Sequence, residues 1–313
     1  MAIRVHLHPR FAEPYLAALR QAAPHVSVWL DDDPHDPVAV ELLLAWSLTP
    51  GLVASLPRLR AVCSIGAGVD KLLTAPDLPP ELPVLRVSDP QQNQAIAQYV
   101  LACALRHLRE LPRYEAQQAE ARWRRHPQRP LAQCRLGLLG QGAVAQAVAR
   151  AAQALGLPVA LWGRGPRDLP PDLAGLRCEH GEPGLARLLA ASDVLVCTLP
   201  LTPTTENLLD RARLSQLPRG AYLIQVGRGE QLVEADLRAL LDEGHLAGAA
   251  LDVYRVEPPP PEHWAWQHPK VFASPHIAGE ARHALVAATC LEALQALREG
   301  RQPAGVVDRA AGY

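Results

Sequence analysis

The chain has 313 residues, of which 49% are hydrophobic and 20% are charged, with 31 Lys and Arg against 32 Asp and Glu. This length is enough for two ordinary domains with separate cores. The formal net charge of -1 gives no basic surface for nucleic acid or for an anionic membrane, so neither partner is expected.

The first hundred residues alternate apolar runs with a short helical stretch. Short apolar runs of this kind predict strands, and a periodic stretch between them predicts a helix. The predicted strands are residues 3–7, 26–30, 42–46 and 61–65, and the predicted helix is residues 14–23. Strands that alternate with helices indicate a parallel sheet covered on both faces, and hence one small α/β unit.

A longer α/β series follows. Apolar residues at three- and four-residue spacing predict one long helix over residues 94–118. Later strands are predicted at residues 135–139, 158–162, 194–199, 222–226, 248–253 and 271–273. Further helices are predicted at residues 144–155, 234–243 and 281–299. The last helix could pack back on the first unit.

The six cysteines lie in apolar segments without a C-x-x-C pair, which is typical of buried thiols in a reducing compartment. No Cys and His cluster has the spacing of zinc ligands, so no metal is expected. The N-terminal residues lack the apolar core of a signal peptide, and no run of about 18 apolar residues suits a membrane span. We therefore expect a cytoplasmic protein.

Residues 138–145 read Leu-Leu-Gly-Gln-Gly-Ala-Val-Ala, where a strand runs into a tight turn and a helix begins. Gly140 permits the turn, Gly142 lets the backbone approach a pyrophosphate, and Ala145 takes the place of the third glycine. The helix N-terminus offers free N–H groups to an anion. Similar turns also occur for packing alone. The residues expected to contact a dinucleotide are Gly140, Gln141, Gly142, Ala143 and Val144.

The next predicted strand is followed by arginines. A fold that prefers NAD usually has a carboxylate here for the ribose 2′-hydroxyl, but none occurs before Asp168. Arg164 and Arg167 could instead pair with a 2′-phosphate, because guanidinium matches phosphate geometry. The alternative is two solvated loop arginines. We expect NADP(H) to be preferred and NAD(H) to be possible.

Three charged residues each follow the carboxyl end of a predicted strand, where open α/β sheets collect their ligand sites. They are Arg228, Glu257 and His276. Reduction of a ketone by hydride needs a proton donor at the oxygen, and the pKa of His suits that role. A carboxylate would orient the ring, and an Arg could bind a substrate carboxylate. Individually, such loop residues are mostly solvated or structural.

Together these motifs resemble the D-isomer-specific 2-hydroxyacid dehydrogenases, and most closely their glyoxylate/hydroxypyruvate reductase A branch. The resemblance covers essentially the whole chain. It rests on residues 65–70 (Ile-Gly-Ala-Gly-Val-Asp), 140–142 (Gly-Gln-Gly), 199–205 (Leu-Pro-Leu-Thr-Pro-Thr-Thr), 227–229 (Gly-Arg-Gly), 251–253 (Leu-Asp-Val), 257–258 (Glu-Pro) and 275–276 (Pro-His).

The resemblance implies roles for individual residues. Arg228, Glu257 and His276 would be catalytic. The loop containing Ala67 and Gly68 would hold the substrate carboxylate through backbone N–H groups, although it would be a tight turn in any case. Further implied cofactor contacts are Leu199, Pro200, Val226 and Asp252. Further implied substrate contacts are Trp46, for which a buried core position is the alternative, and Arg282, which could equally lie on the surface at a helix start.

The resemblance also implies two Rossmann-like, doubly wound parallel-sheet domains, with the cofactor domain inserted into the substrate domain. Residues 1–100 with 281–313 would form a flavodoxin-like substrate domain, and residues 101–280 the dinucleotide-binding domain. A homodimer built through residues 94–120 is implied. Gln225 stands where many relatives have Asn, which we expect to be tolerated.

The implied reaction is the reduction of a small 2-keto acid such as glyoxylate or hydroxypyruvate by NADPH. With two Phe in the chain, a large aromatic pocket is not expected. Two other functions stay open. One is a non-catalytic, NAD(H)-sensing scaffold like the corepressors that share this fold. The other is a dehydrogenase of a one-carbon or inorganic acid such as formate or phosphite.

Overall fold

The computed structural model describes residues 2–309 and 312. In chain order the strands are β1 (Ala2–His6), β2 (Ser27–Leu30), β3 (Val40–Ala45), β4 (Ala61–Ser64), β5 (Val84–Leu85), β6 (Leu136–Leu139), β7 (Val159–Gly163), β8 (Arg177–His180), β9 (Val194–Cys197), β10 (Tyr222–Gln225), β11 (Gly248–Leu251) and β12 (Val271–Ala273). The helices are α1 (Pro9–Ala22), α2 (Asp70–Leu73), α3 (Pro90–Leu108), α4 (Leu111–Ala119), α5 (Ala143–Ala154), α6 (Gly181–Ala191), α7 (Arg211–Leu214), α8 (Glu234–Asp242) and α9 (His283–Arg298).

The chain forms two compact units. The first contains residues 1–92 and 280–313, and the second contains residues 93–279. The second unit is therefore inserted in the chain of the first. The predicted domain limit at residue 100 lies inside α3, which is continuous from Pro90 to Leu108.

The first unit contains a parallel sheet of strand order β2-β1-β3-β4-β5. Strand β2 is added on one side of β1, and strands β3 to β5 are added in turn on the other side. The topological switch point therefore lies between β1 and β3. Side chains of α1 and α9 bury one face of this sheet, and α2 with the loop before β4 covers the other. This strand order is the flavodoxin-like one.

The second unit contains a seven-stranded sheet of order β12-β11-β10-β9-β6-β7-β8, in which every pair is parallel. Its switch point lies between β6 and β9, at the start of the dinucleotide motif. Helices α3 and α5 pack on one face of the sheet, and α6 and α8 pack on the other. The predicted fold class, two doubly wound parallel sheets, is confirmed.

Two predicted helices differ from the structure, and some elements, such as strand β8, were not predicted. The single helix predicted over residues 94–118 is two helices, because Pro112 has no N–H and its ring would clash with the carbonyl of Leu108. Helix α1 begins at Pro9 rather than Pro14, since the His8 side chain accepts a hydrogen bond from the Arg10 N–H and caps it. Strand β8 was not predicted, because its sequence Arg-Cys-Glu-His has no apolar run.

None of the helices in the described part of the chain combines the length and the apolar character needed to cross a bilayer.

The buried face of α3 carries a histidine whose titration should be visible in the stability of the protein. His107 stacks on the Tyr222 ring, with centroids 4.4 Å apart, and burial lowers its pKa to about 4. Because the unfolded state titrates near pH 6.5, it binds more protons than the folded state between about pH 6.5 and 4. The free energy of unfolding should therefore fall by about 3 kcal/mol as the pH drops through this window.

Denaturant unfolding of the wild type and His107→Gln, measured from pH 7 to pH 4, tests this prediction. The variant should have the shallower pH dependence, because Gln does not titrate. His25→Gln is the control, since His25 is exposed and its removal should leave the slope unchanged. Equal slopes for the wild type and His107→Gln would contradict the assignment.

Candidate active site

The glycine turn after β6 forms a cradle at the N-terminus of α5. Gly140 has a φ of +126°, and a Cβ there would lie 2.5 Å from Thr198 Oγ1, so only glycine fits. Gly142 is the N-cap of α5 and faces open space, with no atom within 4 Å of where its Cβ would be. The first N–H groups of α5, beginning at Ala143 and Val144, can therefore approach an anion.

The end of β7 lies beside this cradle. The Gly140 N–H donates to Trp162 O at 2.8 Å, which joins the turn to the last residues of β7. Arg164 directly follows the strand and is exposed, as is Arg167. No carboxylate stands on β7 or on the three residues after it, so this edge is basic.

A buried glutamine that the sequence analysis did not single out joins the loops after β9 and β10. Gln231 is fully buried, and its Nε2 donates to Leu199 O at 3.0 Å and to Pro200 O at 2.9 Å. Its Oε1 accepts the Arg228 N–H at 2.9 Å. Val226 stands between these loops, and its N–H donates to Cys197 O at 3.2 Å. Gln231 could not be found from a motif, because its role depends on contacts distant in sequence.

Arg228 lies in the loop after β10, which a second buried amide holds. Gln225 Nε2 donates to Arg228 O at 2.9 Å, and Gln225 Oε1 accepts the Gly227 N–H at 3.2 Å. The guanidinium Nη1 of Arg228 donates to Gly227 O at 2.7 Å, which orients the side chain. Gly229 is required next, because a Cβ there would lie 1.9 Å from the Tyr254 carbonyl carbon.

The structure brings two of the predicted catalytic residues together. His276 Nδ1 and Glu257 Oε2 are 2.8 Å apart, and both side chains are partly buried. Glu257 Oε1 accepts the Tyr254 N–H at 3.0 Å, which fixes the carboxylate. A carboxylate that accepts from Nδ1–H fixes the orientation and the tautomer of the ring, which a general acid acting through Nε2 requires.

The backbone of His276 is held in an unusual conformation by Asp252. His276 has a φ of +57°, which residues other than glycine seldom adopt. Asp252 accepts the next two N–H groups, from Ile277 and Ala278, each at 2.8 Å, and also the Ser274 hydroxyl at 2.6 Å. The structure thus gives Asp252 a positioning role, and its implied contact with a cofactor stays a prediction.

Removing the charge of Asp252 should disturb the histidine loop. In Asp252→Asn an amide NH₂ would face one of the two backbone N–H groups, so at least one hydrogen bond becomes a repulsive contact. Because Asp252 is only 1% exposed, we expect a loss of about 2–3 kcal/mol in the free energy of unfolding and a lower kcat. Thermal unfolding and steady-state rates check this.

Ser274→Ala is the matched comparison for this variant, since it removes one donor and leaves both backbone contacts in place. It should cost less stability and less kcat than Asp252→Asn. A kcat of Asp252→Asn equal to that of the wild type would contradict the positioning role.

The residues implied to bind substrate in the first unit lie at the carboxyl ends of β3 and β4. Trp46 directly follows β3 and is half-buried, so it is not a core residue. Ala67 is exposed in the loop after β4, where Ser64 Oγ donates to Gly68 O at 2.7 Å. Neither Gly66 nor Gly68 has a positive φ. The loop therefore lacks the alternation of right-handed and left-handed residues that forms one kind of anion-binding nest. Its contact with a carboxylate stays a prediction.

Arg282 is the N-cap residue of α9 and is paired with a carboxylate of its own unit. Its Nη2 and Nε donate to the two oxygens of Asp89 at 3.0 and 3.1 Å, and its backbone N–H also donates to Asp89. The hydrogen bonds from Arg282 lower the pKa of the fully buried Asp89 to about 2. Asp89 therefore stays ionised, and its negative charge offsets the positive charge that Arg282 could offer to a substrate. The contact between Arg282 and the substrate stays a prediction.

No group of three or more His, Cys, Asp or Glu suited to a metal ion occurs among the described residues.

Comparison with known proteins gives the family. The model of the D-isomer specific 2-hydroxyacid dehydrogenase, NAD binding domain, matches residues 101–278. Glyoxylate/hydroxypyruvate reductase A of Serratia proteamaculans (strain 568) is 35% identical, over 99% of each chain. The chain belongs to the D-isomer specific 2-hydroxyacid dehydrogenase family.

Solved structures of this dehydrogenase family agree in fold along the whole chain. A member from Xanthobacter autotrophicus Py2, in complex with NADPH and MES, has a TM-score of 0.91 and 38% identity, covering 100% of this chain and 99% of that one. The NADPH-dependent glyoxylate/hydroxypyruvate reductase of Sinorhizobium meliloti, in complex with NADP and sulfate, has a TM-score of 0.92 and 32% identity, covering 100% of both chains. The predicted family and fold are confirmed.

Proposed function

We propose that this dehydrogenase is an NADPH-preferring reductase of small 2-keto acids, with glyoxylate and hydroxypyruvate as substrates. The observation that carries the proposal is the pairing of His276 Nδ1 with Glu257 Oε2, 2.8 Å apart. Such a pair can act as the general acid that ketone reduction needs. The relatives from Serratia and Sinorhizobium, which are glyoxylate/hydroxypyruvate reductases, support the substrate class.

The residues of the second unit fit an NADP(H) cofactor. The open space at Gly142 and the N-terminus of α5 suit a pyrophosphate, and Arg164 and Arg167 suit a 2′-phosphate. The Xanthobacter and Sinorhizobium structures contain NADPH and NADP, which supports the same preference here, with NAD(H) as a possible second cofactor. When bound, a dihydronicotinamide supplies the hydride that reduces the carbonyl carbon.

His276 supplies the proton in this reaction. In the imidazolium form its Nδ1–H donates to Glu257, and Nε2–H donates its proton to the carbonyl oxygen as negative charge develops there. The ring is then neutral and keeps its Nδ1–H. In the overall reaction a 2-keto acid, NADPH and a proton give a 2-hydroxy acid and NADP⁺. His276 is then reprotonated from solvent.

Arg228 binds the substrate. Its guanidinium can hold the carboxylate of the acid and polarise the neighbouring carbonyl, because its planar fork matches a carboxylate. We assign Trp46, Ala67, Gly68 and Arg282 of the first unit to the substrate as well, so residues 1–92 with 280–313 would be the substrate domain and residues 93–279 the cofactor domain. The homodimer through residues 94–120 and the cytoplasmic location stay predictions.

The test is the initial rate of NADPH and NADH oxidation by purified protein with glyoxylate, hydroxypyruvate and phenylpyruvate. The proposal predicts fast turnover of the two small acids with NADPH, slower turnover with NADH, and little with the bulky phenylpyruvate. Tight cofactor binding without turnover of any acid would contradict it and favour a sensor. Turnover of formate or phosphite would favour the one-carbon or inorganic-acid alternative.

A further inference from the structure

The side chain of Gln141, in the middle of the glycine turn, is buried without a full set of hydrogen bonds. The residue is only 7% exposed, and its Nε2 has no hydrogen-bond partner. Its backbone is in use, since Gln141 O accepts from Gln146 Nε2 at 3.1 Å. An unsatisfied buried amide donor costs about 1–3 kcal/mol, so its retention in a binding cradle indicates a ligand that accepts its hydrogen bond.

The position of the carboxamide shows which part of a ligand it can reach. It lies against Gly163, the last residue of β7, where a Cβ would be 2.7 Å from Gln141 Cδ and Oε1 and 3.2 Å from Nε2. Gly163 follows Gly140 by about 20 residues, which is where NAD-binding folds place the carboxylate that contacts the ribose 2′-hydroxyl. Here the carboxamide of Gln141 fills the space that a side chain at residue 163 would take.

The chemistry of that substitution favours a phosphate. The Nε2 of Gln141 donates, and the charged oxygens of a 2′-phosphate accept a stronger hydrogen bond from it than the neutral oxygen of a 2′-hydroxyl does. Arg164 follows Gly163 directly in the chain, Arg167 comes three residues later, and both add positive charge after the same strand.

We propose that Gln141 Nε2 donates a hydrogen bond to the 2′-phosphate of NADP(H), so that Gln141 discriminates NADPH from NADH together with Arg164. The inference rests on the proposed function, since it assumes that the cradle binds a nicotinamide dinucleotide. It goes further by giving the side chain between the two glycines a specificity role, in addition to the backbone contact expected of that position.

The test is equilibrium binding of NADPH and NADH to the wild type and Gln141→Ala, followed by nucleotide fluorescence. A hydrogen bond to a charged group predicts that the Kd for NADPH rises about tenfold or more, while the Kd for NADH changes less than about twofold. Adenosine 2′,5′-bisphosphate and AMP, titrated calorimetrically, should show the same selective loss without any nicotinamide. Gln153→Ala, an exposed glutamine on α5, is the control and should change none of these values.

A second variant displaces the carboxamide without removing it. In Gly163→Ala the new Cβ would push against Gln141 Cδ and Oε1, which are the flexible end of a side chain, so the fold should tolerate the change. The selective loss of NADPH affinity should appear here as well.

Equal loss of NADPH and NADH affinity in Gln141→Ala, or no loss of either, would overturn the inference, because the side chain would then serve packing or the pyrophosphate. Those outcomes leave the proposed function standing if the wild type still binds and oxidises NADPH. Failure of the wild type to bind either nucleotide would instead overturn the proposed function.

Discussion

Replacing His276 with alanine is expected to lower kcat about 10²–10⁴-fold with a much smaller effect on the Kd of NADPH. The physical reason is the loss of the proton donor at the carbonyl oxygen. His276 is fixed by Glu257 at 2.8 Å and by the Asp252 contacts to the two following N–H groups, so the variant loses a donor whose position these contacts set. Steady-state rates at saturating keto acid and fluorescence titration of NADPH separate the two quantities.

The matched control is another histidine paired with a carboxylate. His268 Nε2 lies 3.2 Å from Asp242 Oδ1 in the same unit, so His268→Ala removes a comparable pair away from the site. It should leave kcat within about twofold of the wild type, because His268 is not assigned to the cofactor or to the substrate. A kcat for His276→Ala close to that of the wild type would remove His276 from the mechanism.

Replacing Arg228 with alanine is expected to raise KM and lower kcat together, reducing kcat/KM by about 10³-fold or more. The guanidinium is assigned both to the substrate carboxylate, which is present in the ground state, and to the charge that develops in the transition state. Arg228→Lys keeps the charge but not the planar fork, so it should recover only part of the loss.

Arg238→Ala is the control for this pair of variants, because Arg238 is an exposed arginine on α8 whose ion pair to Asp242 is a long one, at 3.8 Å. It should behave like the wild type in the same assay. If Arg228→Ala changed KM alone and kept the wild-type kcat, its part in polarising the carbonyl would be wrong.

Much of the fold could be predicted because parallel strands buried on both faces are continuous apolar runs. Strands β3, β4, β6 and β9 are fully buried and stand out in the sequence for that reason. Strand β8 could not be seen in this way, since it pairs with β7 alone at the sheet edge and carries Arg, Glu and His. The break between α3 and α4 was not predicted, although Pro112 in the first turn of α4 causes it.

The site could be predicted where a local motif carries the geometry. The turn after β6 needs glycine at residue 140 because the backbone there has a positive φ. His276 and Glu257 each lie in a loop that follows a strand of the sheet. Gln231 could not be recognised, and Gln141 was expected only as part of the turn, since the side-chain contacts of the two residues, to Leu199 and Pro200 and to Gly163, join segments far apart in the chain. The pairing of Arg282 with Asp89 was hidden for the same reason.

The most direct measurement of the central claim is the fate of the hydride. NADPH that carries deuterium at the transferred position of its nicotinamide is incubated with the protein and glyoxylate or hydroxypyruvate, and the product is analysed by mass spectrometry. The account predicts a 2-hydroxy acid that carries the deuterium on the carbon bearing the new hydroxyl group, with one NADP⁺ formed per product. A product without deuterium, or oxidation of NADPH without any 2-hydroxy acid, would contradict it.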